Sequence, residues 1–76
     1  MTITGAQVKA ARQLLGWSQE KLAAEVRVGQ STVGYFENSS RRPPSMLTIS
    51  TIQRVLEKAG VEFVEGEPGV RLRKGN

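Results

Sequence analysis

The stretch Ser18-Gln19-Glu20-Lys21-Leu22-Ala23-Ala24-Glu25-Val26, followed by Arg27-Val28-Gly29 and then Gln30-Ser31-Thr32-Val33-Gly34-Tyr35-Phe36-Glu37-Asn38, decides the fold. Ser18 is a favoured N-cap, and behind it Leu22, Ala23 and Val26 fall on one side of a helix while Glu20, Lys21 and Glu25 fall on the other. Only Arg27-Val28-Gly29 separates this segment from a second helical run, Gln30 to Asn38. So short a connection forces two short helices to cross steeply.

Upstream, Thr4 and Gln7 have the spacing of a capping box, and Gly16 supplies a stop, so the sequence predicts a helix from about Thr4 to Leu15. Val8, Ala11 and Leu15 share its apolar side, Leu14 flanks them, and Arg12 lies at the margin. Downstream, the prolines make Ser39-Ser40-Arg41-Arg42-Pro43-Pro44 a loop carrying two arginines. From Ser45, Ile49, Ile52, Val55, Leu56 and Ala59 repeat at helical spacing until Gly60. The period then changes to two. Val61 and Phe63 alternate with Glu62, Glu65-Gly66-Glu67-Pro68-Gly69 forms a turn, and Val70 and Leu72 alternate with Arg71 and Arg73. This predicts a β-hairpin with strands of about four residues, which needs a partner surface: the helical core of its own chain or, the favoured expectation, the matching hairpin of a second chain in a four-stranded sheet.

Composition narrows the function. A chain of 76 residues is one small globular unit, and its expected organisation is a helical domain over 1–60 and a hairpin with a basic tail over 61–76, the latter a possible dimerisation element. Histidine, cysteine and aspartate are all absent, which removes the usual imidazole base, the thiol nucleophile and nearly every zinc constellation. Binding without catalysis, and without a metal or cofactor, is the expectation. Eleven Lys and Arg against seven acidic residues give +4, a balance that points to a polyanionic partner. No apolar run approaches the roughly 20 residues of a membrane span. The expected location is the cytoplasm, beside the nucleoid.

The two steeply crossing helices suggest a helix-turn-helix, and the residues support a narrower likeness. Ser18-Gln19-Glu20-Lys21-Leu22-Ala23, Val28-Gly29-Gln30-Ser31-Thr32-Val33, Glu37-Asn38 and Arg41-Arg42-Pro43 together resemble the helix-turn-helix family of the phage lambda and 434 repressors and Cro proteins. The likeness runs from about Val8 to Gly60. It implies an all-α fold, a compact bundle of four to five helices in which the fourth is only a short turn near Ser45 to Leu47, with the C-terminal β-hairpin lying outside the common pattern. It also implies binding of double-stranded operator DNA, commonly as a homodimer.

The helix from Gln30 can be read independently. With Gln30 at 0° and about 100° per residue, Gly34, Asn38, Ser31 and Tyr35 lie between about 0° and 140°, and Thr32, Phe36 and Val33 between about 200° and 300°. One side is small or polar and the other buries Val33 and Phe36, as a helix lying in a major groove requires. Gln30 opens this helix, and its carboxamide can pair bidentately with adenine N6 and N7. Ser31, Gly34 and Tyr35 complete the base-reading set; Gly34 permits either close approach of DNA or relief of a clash with a neighbouring helix.

The expected backbone contacts are Ser18, Gln19, Thr32, Asn38, Arg41 and Arg42, with weaker claims for Lys9 and Arg27. Ser18 and Gln19 open a helix whose N-terminus favours anions. The resemblance implies that Gln19 touches a phosphate and braces the glutamine opening the recognition helix, that Asn38 meets the backbone at that helix's far end, and that Arg12 and Glu37 form a structural ion pair. Trp17 is expected in the core. Arg27 stands where the family usually has a glycine, and since positive φ costs a non-glycine residue about 1–2 kcal/mol, a differently built turn is the alternative it raises.

A sequence-specific transcriptional regulator, acting as a repressor on a near-palindromic operator, is the function these readings favour. The competing expectation is an antitoxin or protein-interaction module whose C-terminal segment grips a protein partner. A gripping segment should be disordered alone, whereas a dimerisation element should be ordered in the homodimer.

Overall fold

A computed structural model describes residues 3–38, 44–66 and 69–73. Among these the elements run α1 (Gly5–Leu15), α2 (Gln19–Val26), α3 (Gln30–Asn38), α4 (Met46–Lys58), β1 (Val61–Phe63) and β2 (Val70–Leu72). No described helix is long and apolar enough to cross a membrane.

Helix ends are fixed by short-range chemistry. The Thr4 hydroxyl accepts from the Gln7 N–H at 3.2 Å and the Gln7 carboxamide accepts from the Thr4 N–H at 2.8 Å, completing the expected capping box. Gly16 closes α1 at φ 69°. Ser18 caps α2 by accepting from the Lys21 N–H at 3.0 Å, and Ser45 caps α4 by accepting from the Thr48 N–H at 3.2 Å. Met46 and Leu47 are therefore the first turn of α4, so the separate short helix expected near Ser45 to Leu47 is absent and the described residues hold four helices. The turn after α2 keeps the left-handed geometry: Arg27 takes φ 66°, the one non-glycine residue with positive φ among the described residues. The alternative of a differently built turn is thus overturned.

Ile3, Val8, Leu22, Val33, Ile52, Leu56 and Val61 are fully buried and draw all four helices and the hairpin onto one core. Leu14, expected to flank this core, is exposed at 43% because it has rotated past the edge of the α1 stripe. Trp17 is half-buried against the core, with the Lys21 ammonium 5.3 Å from its ring centroid. It covers the core's edge instead of filling its centre.

The strands pair antiparallel in the register Val61↔Leu72, Glu62↔Arg71, Phe63↔Val70, each three residues long instead of about four. Val61, Phe63, Val70 and Leu72 consequently share one face. That face lies on α1 and α4, with Val61 and Val70 buried. Gln7 adds a polar tie, donating from Nε2 to the Gly69 carbonyl at 3.1 Å. Glycine suits this position, since φ is +83° and a Cβ would stand 3.1 Å from the Gly66 carbonyl oxygen and would push aside the Gln7 amide. The partner surface that a short hairpin requires is thus supplied by the chain's own helices, and a second chain is not needed to hold it.

Candidate functional site

The outward side of α3 follows from its burial pattern. Val33 and Phe36 are turned into the core, so Gln30, Ser31, Tyr35 and Asn38 stand in solvent, with Tyr35 66% exposed. Thr32 is half-buried in the first turn, where its N–H donates to the Gly29 carbonyl at 3.0 Å. The stripe is nine residues long and convex, the size and shape of element that fits a groove about 12 Å wide.

Gly34 sits on this stripe beneath the Gln19 side chain. A Cβ added at Gly34 would meet Gln19 Oε1 at 3.6 Å and Nε2 at 3.8 Å, which is ordinary van der Waals contact. Relief of a helix clash therefore does not account for the glycine.

The N-terminus of α2 adjoins the stripe. Ser18 Oγ is engaged by the Lys21 N–H and the Ser18 carbonyl by the Leu22 N–H. The main-chain N–H groups of Gln19 and Glu20 are left without intrahelical acceptors, as the first donors of any helix are, and they carry the positive end of the helix dipole. An anion placed there gains two donors.

Beneath the surface, a buried charge pair holds α1, α2 and α3 together. Arg12 donates from Nε to Glu37 Oε2 at 2.9 Å and from Nη2 to Oε1 at 3.0 Å. Arg12 Nη1 donates to the Trp17 carbonyl at 2.8 Å, and Gln19 Nε2 donates to Glu37 Oε1 at 3.2 Å. The Glu37 side chain has no exposed surface and that of Arg12 only 13%. Every donor and acceptor direction that matters is occupied, as a buried ion pair demands.

Of the sequence-expected residues, Gln30, Ser31, Gly34, Tyr35, Ser18, Gln19, Thr32 and Asn38 fall on α3 or the adjoining end of α2. Arg41 and Arg42 lie outside the described residues. Two features were missed. Gly5 opens α1 against the last turn of α3, where a Cβ would lie 1.8 Å from the Phe36 carbonyl oxygen; its signal was a glycine at the first position of a well-capped helix, where a better helix former is expected. Gln19 was expected to brace Gln30; among the described residues its side chain bonds Glu37 instead, a link between residues 18 apart in sequence that left no local signal.

A family model described as helix-turn-helix matches residues 8–63, from Val8 in α1 to Phe63 in β1. No curated protein matches the chain.

Proposed function

The chain belongs to the helix-turn-helix family of the Cro and C1 repressor type, a family of DNA-binding regulators, and we propose that it is a repressor reading a near-palindromic operator as a homodimer. The observation carrying this reading is the exposed polar stripe of α3, held at a fixed tilt by the buried Arg12–Glu37 pair. Gln30 and Ser31 meet base edges from the start of the helix, and Tyr35 follows about one turn later. Thr32, Asn38 and the main-chain N–H of Gln19, with the Ser18 hydroxyl beside it, meet the sugar-phosphate backbone, and Arg41 and Arg42 add phosphate contacts. With DNA as its partner the protein works at the nucleoid. Occupation of a promoter is the simplest mode of repression such a surface supports.

The second copy joins through β2. Arg73 N–H donates to the Gly60 carbonyl and Val64 N–H to the Gly69 carbonyl, at 2.6 and 2.9 Å. By the alternation of an antiparallel ladder, the main-chain groups of Val70 and Leu72 then point away from β1. This edge suits a second copy running antiparallel about Arg71, an isologous contact that would cover Leu72, 49% exposed, and close a four-stranded sheet. The hairpin's packing on its own helices speaks against a C-terminal segment that folds only on another protein.

Selection of bound sequences from random duplex DNA tests the proposal. The expected product is two inverted half-sites with centres about 34 Å, one helical turn, apart. Gln30→Ala is expected to cost about 1–3 kcal/mol on that sequence and to relax preference at one position per half-site. Equal loss on selected and random DNA would remove Gln30 from base reading.

A further inference from the structure

Gly34 leaves a gap in the outward stripe of α3, one turn beyond Gln30, and the Gln19 carboxamide fills it: the position of a Cβ at Gly34 is 3.6 Å from Oε1, 3.8 Å from Nε2 and 4.0 Å from Cδ of Gln19. Which end of that amide faces which way is settled by chemistry. A carboxylate only accepts, and Glu37 Oε1, buried and already bound by Arg12 Nη2, takes its second bond from Gln19 at 3.2 Å. Nε2 must therefore face Glu37, which leaves Oε1 on the other side. None of the described residues donates to this oxygen, and among the described residues no buried side-chain polar atom lacks a partner, so Oε1 is open to solvent. It is an acceptor held beside the groove-facing stripe by a buried ion pair.

Phosphate and sugar ester oxygens only accept, so they cannot bond to Oε1. The donors a major groove offers are the exocyclic amino groups, N6 of adenine and N4 of cytosine. Resting on the DNA-reading proposed above, we propose that the Gln19 side chain is a specificity-determining group that accepts a hydrogen bond from a base amino group through the gap at Gly34. The Gln19 main-chain N–H remains the backbone contact, and Glu37 is a positioning residue that fixes the polarity of the amide.

The experiment repeats the random-duplex selection with wild type, Gln30→Ala and Gln19→Met, the last keeping length while removing both the acceptor and the donor to Glu37, so that the amino deletions below isolate the acceptor. Gln19→Met is expected to lose the preference for adenine or cytosine at one position per half-site, different from the position lost in Gln30→Ala. Affinity for the preferred sequence should fall roughly tenfold, the scale of one base contact, and by clearly more than affinity for random DNA falls. A companion measurement needs no altered protein: deleting the exocyclic amino group of that base, with purine for adenine or pyrimidin-2-one for cytosine, should weaken wild type to the same degree. Loss shared by all sequences with a shallower salt dependence would make Gln19 a phosphate contact only, and loss at the Gln30 position would make it a brace only; either overturns the proposal. A wild-type motif reproduced unchanged by Gln19→Met, or insensitivity to every amino deletion outside the Gln30 position, overturns it while leaving the DNA-reading intact. A wild-type chain that enriches no sequence overturns both.

Discussion

The carboxylate of Glu37 and the guanidinium of Arg12 meet in a two-pronged contact of 2.9 and 3.0 Å, fully buried on the glutamate side, between the last turn of α3 and the last turn of α1. Breaking such a pair from one side leaves a buried charge with no counterion. Arg12→Met or Glu37→Met is therefore expected to cost about 3–5 kcal/mol, a large share of a small domain's stability. The double variant should be less destabilised than the sum of the singles, because it removes both charges together. Urea denaturation of the four proteins measures this, and strict additivity would mean that the two residues are uncoupled.

Gly5 sets the distance between α1 and α3. With the Phe36 carbonyl oxygen 1.8 Å from where a Cβ would stand, Gly5→Ala cannot be accommodated by a flexible side chain moving aside. The expected cost is about 1–3 kcal/mol, as for other overpacked sites, and it exceeds the propensity gained by replacing glycine in a helix. Because the clash is with backbone of α3, operator affinity should fall in the folded fraction as well. A variant with raised melting temperature and unchanged binding would show that the two helices separate freely.

At Arg27 the sign reverses. Its φ of 66° strains a non-glycine residue while its side chain lies in solvent. Arg27→Gly should therefore gain about 1 kcal/mol, which for a domain of this size corresponds to a rise of about 4–8 °C in melting temperature. Calorimetry decides it; an unchanged or lower value would mean that the lost entropy of the unfolded chain matches the relieved strain.

These positions also show what the sequence carried. Caps at Thr4 and Ser18, the apolar spacing of α1, α2 and α4 and the alternation of Val61, Phe63, Val70 and Leu72 are local signals, and α1, α2, α4 and the two strands formed there, while the separate turn expected at Ser45 to Leu47 merged into α4. Ser31, Tyr35 and Asn38 were readable as outward-facing because burial of Val33 and Phe36 fixes the rotation of the helix. At Arg27 local propensity left two turn geometries open, and the left-handed one forms because the packing of α2 on α3 outweighs its strain. The Gly5 contact, the Gln7–Gly69 bond and the Gln19–Glu37 bond join residues far apart in the chain and chemically unremarkable by type, so only the folded geometry exposes them.

Gly34 separates stability from recognition. A methyl group there meets Gln19 at ordinary contact distance, so Gly34→Ala should gain up to about 1 kcal/mol of helix propensity. The same methyl group partly closes the gap through which Gln19 Oε1 is presented, and operator affinity is expected to drop while affinity for random DNA holds. Measured by thermal melting and operator titration, a more stable variant with full operator affinity would remove Gly34 from the reading surface.

The homodimer is best tested at Leu72. Truncation after Gly60 would also take Val61 and Val70 out of the core and so confound association with folding. Leu72 shares their face but is 49% exposed, at the strand whose outer edge is proposed to meet its counterpart. In the folded single chain, Leu72→Glu should change the melting temperature little, since the carboxylate reaches water. In the dimer it would be set against Val70 of the second copy, and burying a charge without a partner is strongly unfavourable. Sedimentation equilibrium should show the dimer weakened on the order of tenfold or more, and operator titration should show the two half-sites filling independently. A Leu72→Glu chain that dimerises as tightly as wild type would place the contact elsewhere on the molecule.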